Sequence, residues 1–208
     1  MEWKNTSNQF GAMTRLFHWS MATAFIVCCL LAYYIIWFIL PYGGKKDPMF
    51  MPLINLHWVL GIFVGVLVIP RLIWRIRNPQ PPGIHITHLR IEHWMVHAAH
   101  WALYALMIIM PITGYIGTGR DTDFYLFSVP NFRDTAFFTW LCSVFGFTWQ
   151  TFEPPVDVIH HFLGKTLVPL IVILHIAAAF FHHYVNRDAV LSRMLGKPAP
   201  AADSASQH

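Results

Sequence analysis

The sequence predicts an all-α membrane protein, a bundle of four transmembrane helices, and three observations lead there. Of 208 residues, 56% are hydrophobic and 12% charged, whereas average soluble chains carry about 25% charged residues. Mean hydropathy is positive. A hydrocarbon core takes roughly 20 apolar residues in helix to cross. Charge-free windows of that length occur at 16–44, 48–70 and 93–119, and a fourth near 159–186 is broken only by Lys165.

Taken in order, the predicted spans cover 14–40, 51–75, 92–117 and 156–185 within a single domain, 1–198. The first apolar run begins near Phe17, has no small-residue cleavage site and is too long for the core of a signal peptide, so it is expected to stay in the membrane. Pro41-Tyr42-Gly43-Gly44-Lys45-Lys46-Asp47-Pro48 reads as a polar turn. Asn78-Pro79-Gln80-Pro81-Pro82-Gly83 cannot continue a helix, because proline lacks the amide donor and clashes with the preceding turn. The longest connection, 118–155, contains the aromatic stretch Ala136–Trp149. That stretch is too short to span and is expected to lie at the outer membrane interface as an aromatic segment, with a docking surface as the alternative. Residues 199–208 read as a disordered tail.

Basic residues set the expected orientation. Nine (Lys4, Arg15, Arg71, Arg75, Arg77, Arg90, Arg187, Arg193, Lys197) fall on the side of both termini, and five (Lys45, Lys46, Arg120, Arg133, Lys165) fall on the other. The positive-inside rule then puts both termini in the cytoplasm of a multi-pass inner-membrane protein. The formal charge of +4 forms no basic stripe interleaved with aromatics outside the spans, so no nucleic-acid partner is expected. Lipid is the surrounding partner.

Thirteen histidines are many for so apolar a chain, and ionisable groups inside spans usually face a functional interior. His18 lies at the terminus-side start of span one, and His57 at the opposite-side start of span two. His161 begins span four, and His175 follows it 14 residues later. Fourteen residues return to within about 40° of the same helix face and advance about 21 Å. His57 and His161 therefore share one depth, and His18 and His175 the other.

Opposed imidazoles at two depths of a bundle suit two haems, each with two axial histidines. Zinc wants three or four converging nitrogen or sulfur ligands, and these histidines have no neighbouring cysteine or carboxylate. No Cys-x-x-Cys-His motif is present, so the haems are expected to be non-covalent and b-type. Gly61, Gly65, Gly114 and Gly117 offer room for a flat macrocycle, although spans also use glycine for close packing. His160 rivals His161: at 15 residues from His175 it is rotated about 60° the other way, and spacing leaves the choice open. His97 and His100 are read either as interfacial residues or as the lining of a quinone and proton path, a role suited to a group that titrates near neutrality. His182 and His183, near the inner end, are further candidates for that path or for a propionate contact. His85, His88 and His208 are expected to be solvated.

Several segments together resemble the bacterial cytochrome b561 family. They are Arg15-Leu-Phe-His18-Trp19, Ile54-Asn-Leu-His57 through Gly61, Arg71-Leu-Ile-Trp-Arg75 with the proline loop, His97-Ala-Ala-His100 through Pro111-Ile-Thr-Gly114, His161, and Leu174-His175-Ile-Ala-Ala-Ala with His182-His183-Tyr184. The resemblance implies a four-span di-haem cytochrome with His18 paired to His175 and His57 to His161, choosing against His160. It also implies quinone-linked electron transfer, with superoxide oxidation at the outer face and ubiquinone reduction as an activity of the family. The alternative is the cytochrome b subunit of a larger dehydrogenase or hydrogenase, whose electron donor is a protein partner. Two features depart from the family: the long 118–155 connection, and Lys165 one turn after His161, expected to meet a propionate or attract an outer anion. Six acids face five bases on the outer side, so a field that steers superoxide would have to be local.

Overall fold

The computed structural model describes residues 2–78, 81 and 90–197, with 90–93 as backbone only. His85, His88, His208, the tail 199–208 and part of the proline loop lie outside the described residues. Four apolar helices are long enough to cross a membrane: Ala12–Ile39, Phe50–Arg77, Trp94–Gly117 and Trp149–Tyr184.

The first comprises α1 (Ala12–Tyr34) and a π-turn, Ile35–Ile39. Asn5 starts it, its carboxamide oxygen accepting from the Gly11 amide (2.9 Å) and the Thr14 hydroxyl (2.8 Å). The expected turn follows, with a short 3-10 segment at Gly44–Lys46. α2 (Phe50–Arg77) runs through Pro70, and α3 (Arg90–Gly117) through Pro111. A Cβ built on Gly65 would stand 2.8 Å from the Pro111 ring, so glycine is what lets α2 approach α3 there.

The outer connection differs from expectation in two ways, a hairpin before the aromatic segment and an earlier start to the fourth span. A two-stranded antiparallel hairpin, β1 (Thr122–Asp123) with β2 (Ser128–Val129), precedes the aromatic segment. The segment itself is a helix, α4 (Ala136–Phe145), capped by the Thr135 side chain and closed by Gly146 in the left-handed region (φ 71°). Trp149 already belongs to the fourth span, which starts seven residues before the predicted 156. Pro154 and Pro155 do not break that helix, although they remove two amide donors from its second turn. The fourth span comprises α5 (Trp149–Phe162), a π-turn at Leu163–Leu167 and α6 (Val168–Tyr184). α7 (Val190–Met194) folds back beneath α1, where the Trp19 indole donates to the Met194 carbonyl (3.0 Å).

α1 packs along α2, α2 along α3, and α3 along α5 and α6. The buried core is a single cluster from the first three spans: Met21, Ala24, Val64, Val68, Tyr104 and Met107. Each of these lies between an inner and an outer functional residue of its own helix, so the core is a plug separating two sites at different depths.

Candidate functional site: two histidine layers

In the outer layer, His57 on α2 faces His160 on α5, with ring centres 6.3 Å apart. The Nδ1 of His57 lies 2.9 Å from the Cys28 carbonyl. A carbonyl only accepts, so Nδ1 carries the proton and Nε2 keeps its lone pair. The Cys28 thiol, 3.2 Å from the same nitrogen, donates instead to the His57 carbonyl (3.4 Å). The Nδ1 of His160 lies 3.0 Å from the Thr113 hydroxyl, which donates to the Ile109 carbonyl at 2.8 Å. The His57 ring thus holds the tautomer a metal ligand needs, fixed by a second hydrogen bond, and the Thr113 hydroxyl orients the His160 ring from its Nδ1 side.

These rings open on a small cavity of about 60 Å³, walled by Phe25, Trp58, Gly61, Met110 and Gly114 and capped by Thr122 of the hairpin. A Cβ on Gly61 would meet nothing within 4 Å, and one on Gly114 would press on the His160 ring at 3.1 Å. Gly65 and Gly117 do not serve as predicted: a Cβ on either would strike a neighbouring helix, at Pro111 and at Val156 and Asp157.

The expected partner of His57, His161, is exposed and is not brought opposite it; its ring stands edge-on to His160 at 6.2 Å. The reason is the π-turn at Leu163–Leu167 between these histidines and His175. A π-turn absorbs one extra residue, so the residue 15 positions before His175 takes the face that 14 would reach in an unbroken helix. His161 is turned about 100° further.

In the inner layer, His18 on α1 faces His175 on α6, as expected, with ring centres 6.4 Å apart and planes inclined by 48°. His100 stands edge-on to His175 at 5.4 Å, its Nδ1 donating to the Val96 carbonyl at 2.7 Å. Arg71 reaches toward His18 (Nη2 to Nδ1, 3.4 Å) and over the Tyr104 ring, which Arg75 also covers.

The remaining candidates scatter. His97 is exposed. His182 pairs with Asp188 at 2.8 Å, and His183 lies against Tyr184. Lys165 is exposed in the π-turn and gives the cluster only its backbone carbonyl, which accepts from Tyr33 at 3.1 Å. It does not line the outer cavity, and no other lysine or arginine does. Sequence reading missed Cys28, Thr113, Tyr104 and the inward turn of Arg71 and Arg75; the signal available for the last was two arginines four apart inside an apolar run.

The paired rings test the fit of a metal porphyrin. A bond of about 2 Å to each nitrogen, with each ring centre about 1.1 Å behind its nitrogen, sets opposed centres about 6.2 Å apart. Both pairs, at 6.3 and 6.4 Å, meet that spacing. Among the described residues no three His, Cys, Asp or Glu side chains converge as a chelating group, and the opposed imidazoles at each depth would be what holds a porphyrin metal. The residues fit the group.

Paired imidazoles at two depths of a four-span helical bundle define an integral membrane protein of the electron-transfer type. The chain belongs to the prokaryotic cytochrome b561 family, whose profile matches residues 9–197, and membership implies b-type haem. It is 27% identical over 216 residues to cytochrome b561 homolog 2 of Escherichia coli K12, covering 95% of this chain and 96% of that one. It is also 27% identical to a protein of Yersinia pestis named probable superoxide oxidase CybB, over 81% of this chain and 89% of that protein. Cytochrome b561 homolog 1 of E. coli K12 matches at 27% over 73% of this chain and 79% of its own length.

Proposed function

We propose that this protein is a di-haem electron carrier of the inner membrane, with His18 and His175 holding the inner haem and His57 and His160 the outer. It takes electrons from superoxide at the outer face and delivers them to ubiquinone. The observation that carries this reading is the matched spacing of two opposed ring pairs, 6.4 and 6.3 Å, at two depths of one bundle. Haem, when bound, supplies the one-electron couple that neither substrate's protein environment provides.

The chain's own part is to grip and orient. The Cys28 carbonyl fixes the His57 ring through its Nδ1 proton, the Thr113 hydroxyl orients the His160 ring, and the wall around Gly61 is apolar. His100, beside His175, is the best placed of the candidate proton-path histidines. The basic count on the terminus side supports cytoplasmic termini and an outward hairpin. Superoxide as donor rests on the name of the Yersinia relative. The balance is two superoxide anions, one quinone and two protons giving two dioxygen molecules and one quinol.

A second reading, the cytochrome b subunit of a larger respiratory complex, is favoured by α4. Its Phe137, Trp140, Val144 and Phe145 are all more than half exposed, a surface on which a protein donor could dock.

Purified chain, quantified for haem and given a superoxide pulse with ubiquinone, tests both. Two haems per chain, faster superoxide decay and stoichiometric quinol are expected. Two haems with neither signal would move the assignment to the subunit, and a colourless protein expressed with ample haem would end both.

A further inference from the structure

Arg71 and Arg75 sit four residues apart on the inner half of α2, half-buried, whereas Arg77, nearer the helix end, is exposed. An arginine this close to a membrane surface ordinarily extends its long side chain to the water. These two turn into the bundle instead. What they meet there is poor compensation for a charge: Arg71 touches the Met21 sulfur (3.7 Å) and His18 Nδ1 (3.4 Å), and Arg75 the Tyr104 hydroxyl (3.3 Å). Both lie over the face of Tyr104, 5.4 and 5.2 Å from its centre. Among the described residues no carboxylate is within ion-pair distance of either, the single pair being His182 with Asp188.

The His18 contact is itself conditional. Nδ1 can accept from Arg71 only while it is unprotonated. An imidazole that binds iron through Nε2 carries its proton on Nδ1, and then two donors face each other. Ligation through Nε2 would therefore withdraw the imidazole acceptor from Arg71 and leave its guanidinium the Tyr104 ring and the Met21 sulfur.

We propose that Arg71 and Arg75 form an oxyanion site held by the Tyr104 ring, and that its ligand is a propionate carboxylate of the inner haem. This rests on the haem reading above. A planar guanidinium presents its donors in pairs that match a carboxylate, and both guanidiniums lie against the one Tyr104 ring. A lipid headgroup phosphate shares that oxyanion chemistry and is the competing source.

The test uses the full chain in the His57→Ala background, which isolates the inner site, expressed without haem and titrated with haem or with haem dimethyl ester, whose propionates are masked. The unsubstituted arginines are expected to hold haem about tenfold tighter than the ester, the order of a charge-assisted hydrogen bond. Arg71→Gln with Arg75→Gln should bring that ratio close to one, and Arg71→Lys with Arg75→Lys should keep part of it. A ratio unchanged in the double glutamine variant overturns the site, as does an equal loss for both porphyrins, the mark of a structural role. A ratio that is one throughout, with binding sensitive to replacing anionic by zwitterionic lipid, assigns the arginines to headgroup phosphate and also overturns it. If the His57→Ala chain binds neither porphyrin, the haem reading fails and the site with it.

Discussion

The two histidine layers have the same spacing and opposite surroundings. The outer pair is set in an apolar cavity with no lysine or arginine in its wall, and both its rings are anchored by neutral hydrogen-bond partners. The inner pair has two guanidiniums and a third imidazole close by, and Arg71 reaches toward His18. One sequence thus builds two versions of a paired-histidine layer, one apolar and one cationic. The buried cluster around Met21, Val64 and Tyr104 keeps them apart. Positive charge favours the less positive state of a redox centre, so the contrast predicts a direction for the proposed haem pair, from the outer face inward.

The largest expected effect tests whether the outer version exists as drawn. His160→Ala should abolish the outer haem and leave the inner, halving the haem per chain, while His161→Ala should leave both. Gly61→Leu should lower outer occupancy as well, because its new side chain enters space that is open around the glycine. Haem quantification with redox difference spectra reads all three. Loss on His161→Ala with retention on His160→Ala would mean that the π-turn does not survive haem binding and that the outer layer returns to the 14-residue register.

A smaller effect sharpens the contrast itself. The inner haem should have the higher midpoint potential, and Arg71→Gln should lower it by about 60 mV, the one-electron equivalent of a tenfold shift, without moving the outer one. Potentiometric titration separates the two couples. An inner potential below the outer would reverse the direction inferred here from the arginines.

How much of this was legible in the sequence differs between the layers for a physical reason. Hydropathy marks spans because crossing a membrane is a bulk property of some twenty residues, and four spans are what the fold contains. His18 and His175 sit on unbroken stretches of helix, α1 and α6, and their depths alone bring them together. The outer layer depended on phase, and phase is lost by a single extra residue. Nothing in Leu163-Gly164-Lys165-Thr166-Leu167 announces that its hydrogen bonds will run as a π-turn, so a 100° rotation per residue left His160 and His161 open and the family resemblance pointed to His161. The sequence places the start of the fourth span at 156, yet its helix begins at Trp149 and runs through Pro154 and Pro155. Arg71 and Arg75 were visible only as topology charges, because the inward turn of a long side chain is a tertiary choice.

The smallest predicted effect concerns the lid over the outer cavity. Asp121 precedes Thr122, the hairpin residue that caps the cavity, and accepts from Asn131 twice, from the carboxamide at 2.7 Å and from the backbone amide at 2.8 Å. These donors, the side chain foremost, hold the Asp121 carboxyl below its ordinary value. A carboxyl depressed in the folded state adds stability that is complete above the unfolded value, about 3.9, and is lost as pH falls through the lower folded one. The loop should therefore keep its Asn131 amide protected from hydrogen exchange at neutral pH and release it only in acid. Asn131→Ala should move the Asp121 carboxyl, followed by carbon NMR, back toward its ordinary titration. Because the group is solvent-facing the change should be confined to the loop, with the haem spectrum and both potentials unmoved. A spectral change at the outer haem on this substitution would mean that the hairpin holds the cavity shut, and that the apolar outer layer owes its character to the loop as well as to the helices.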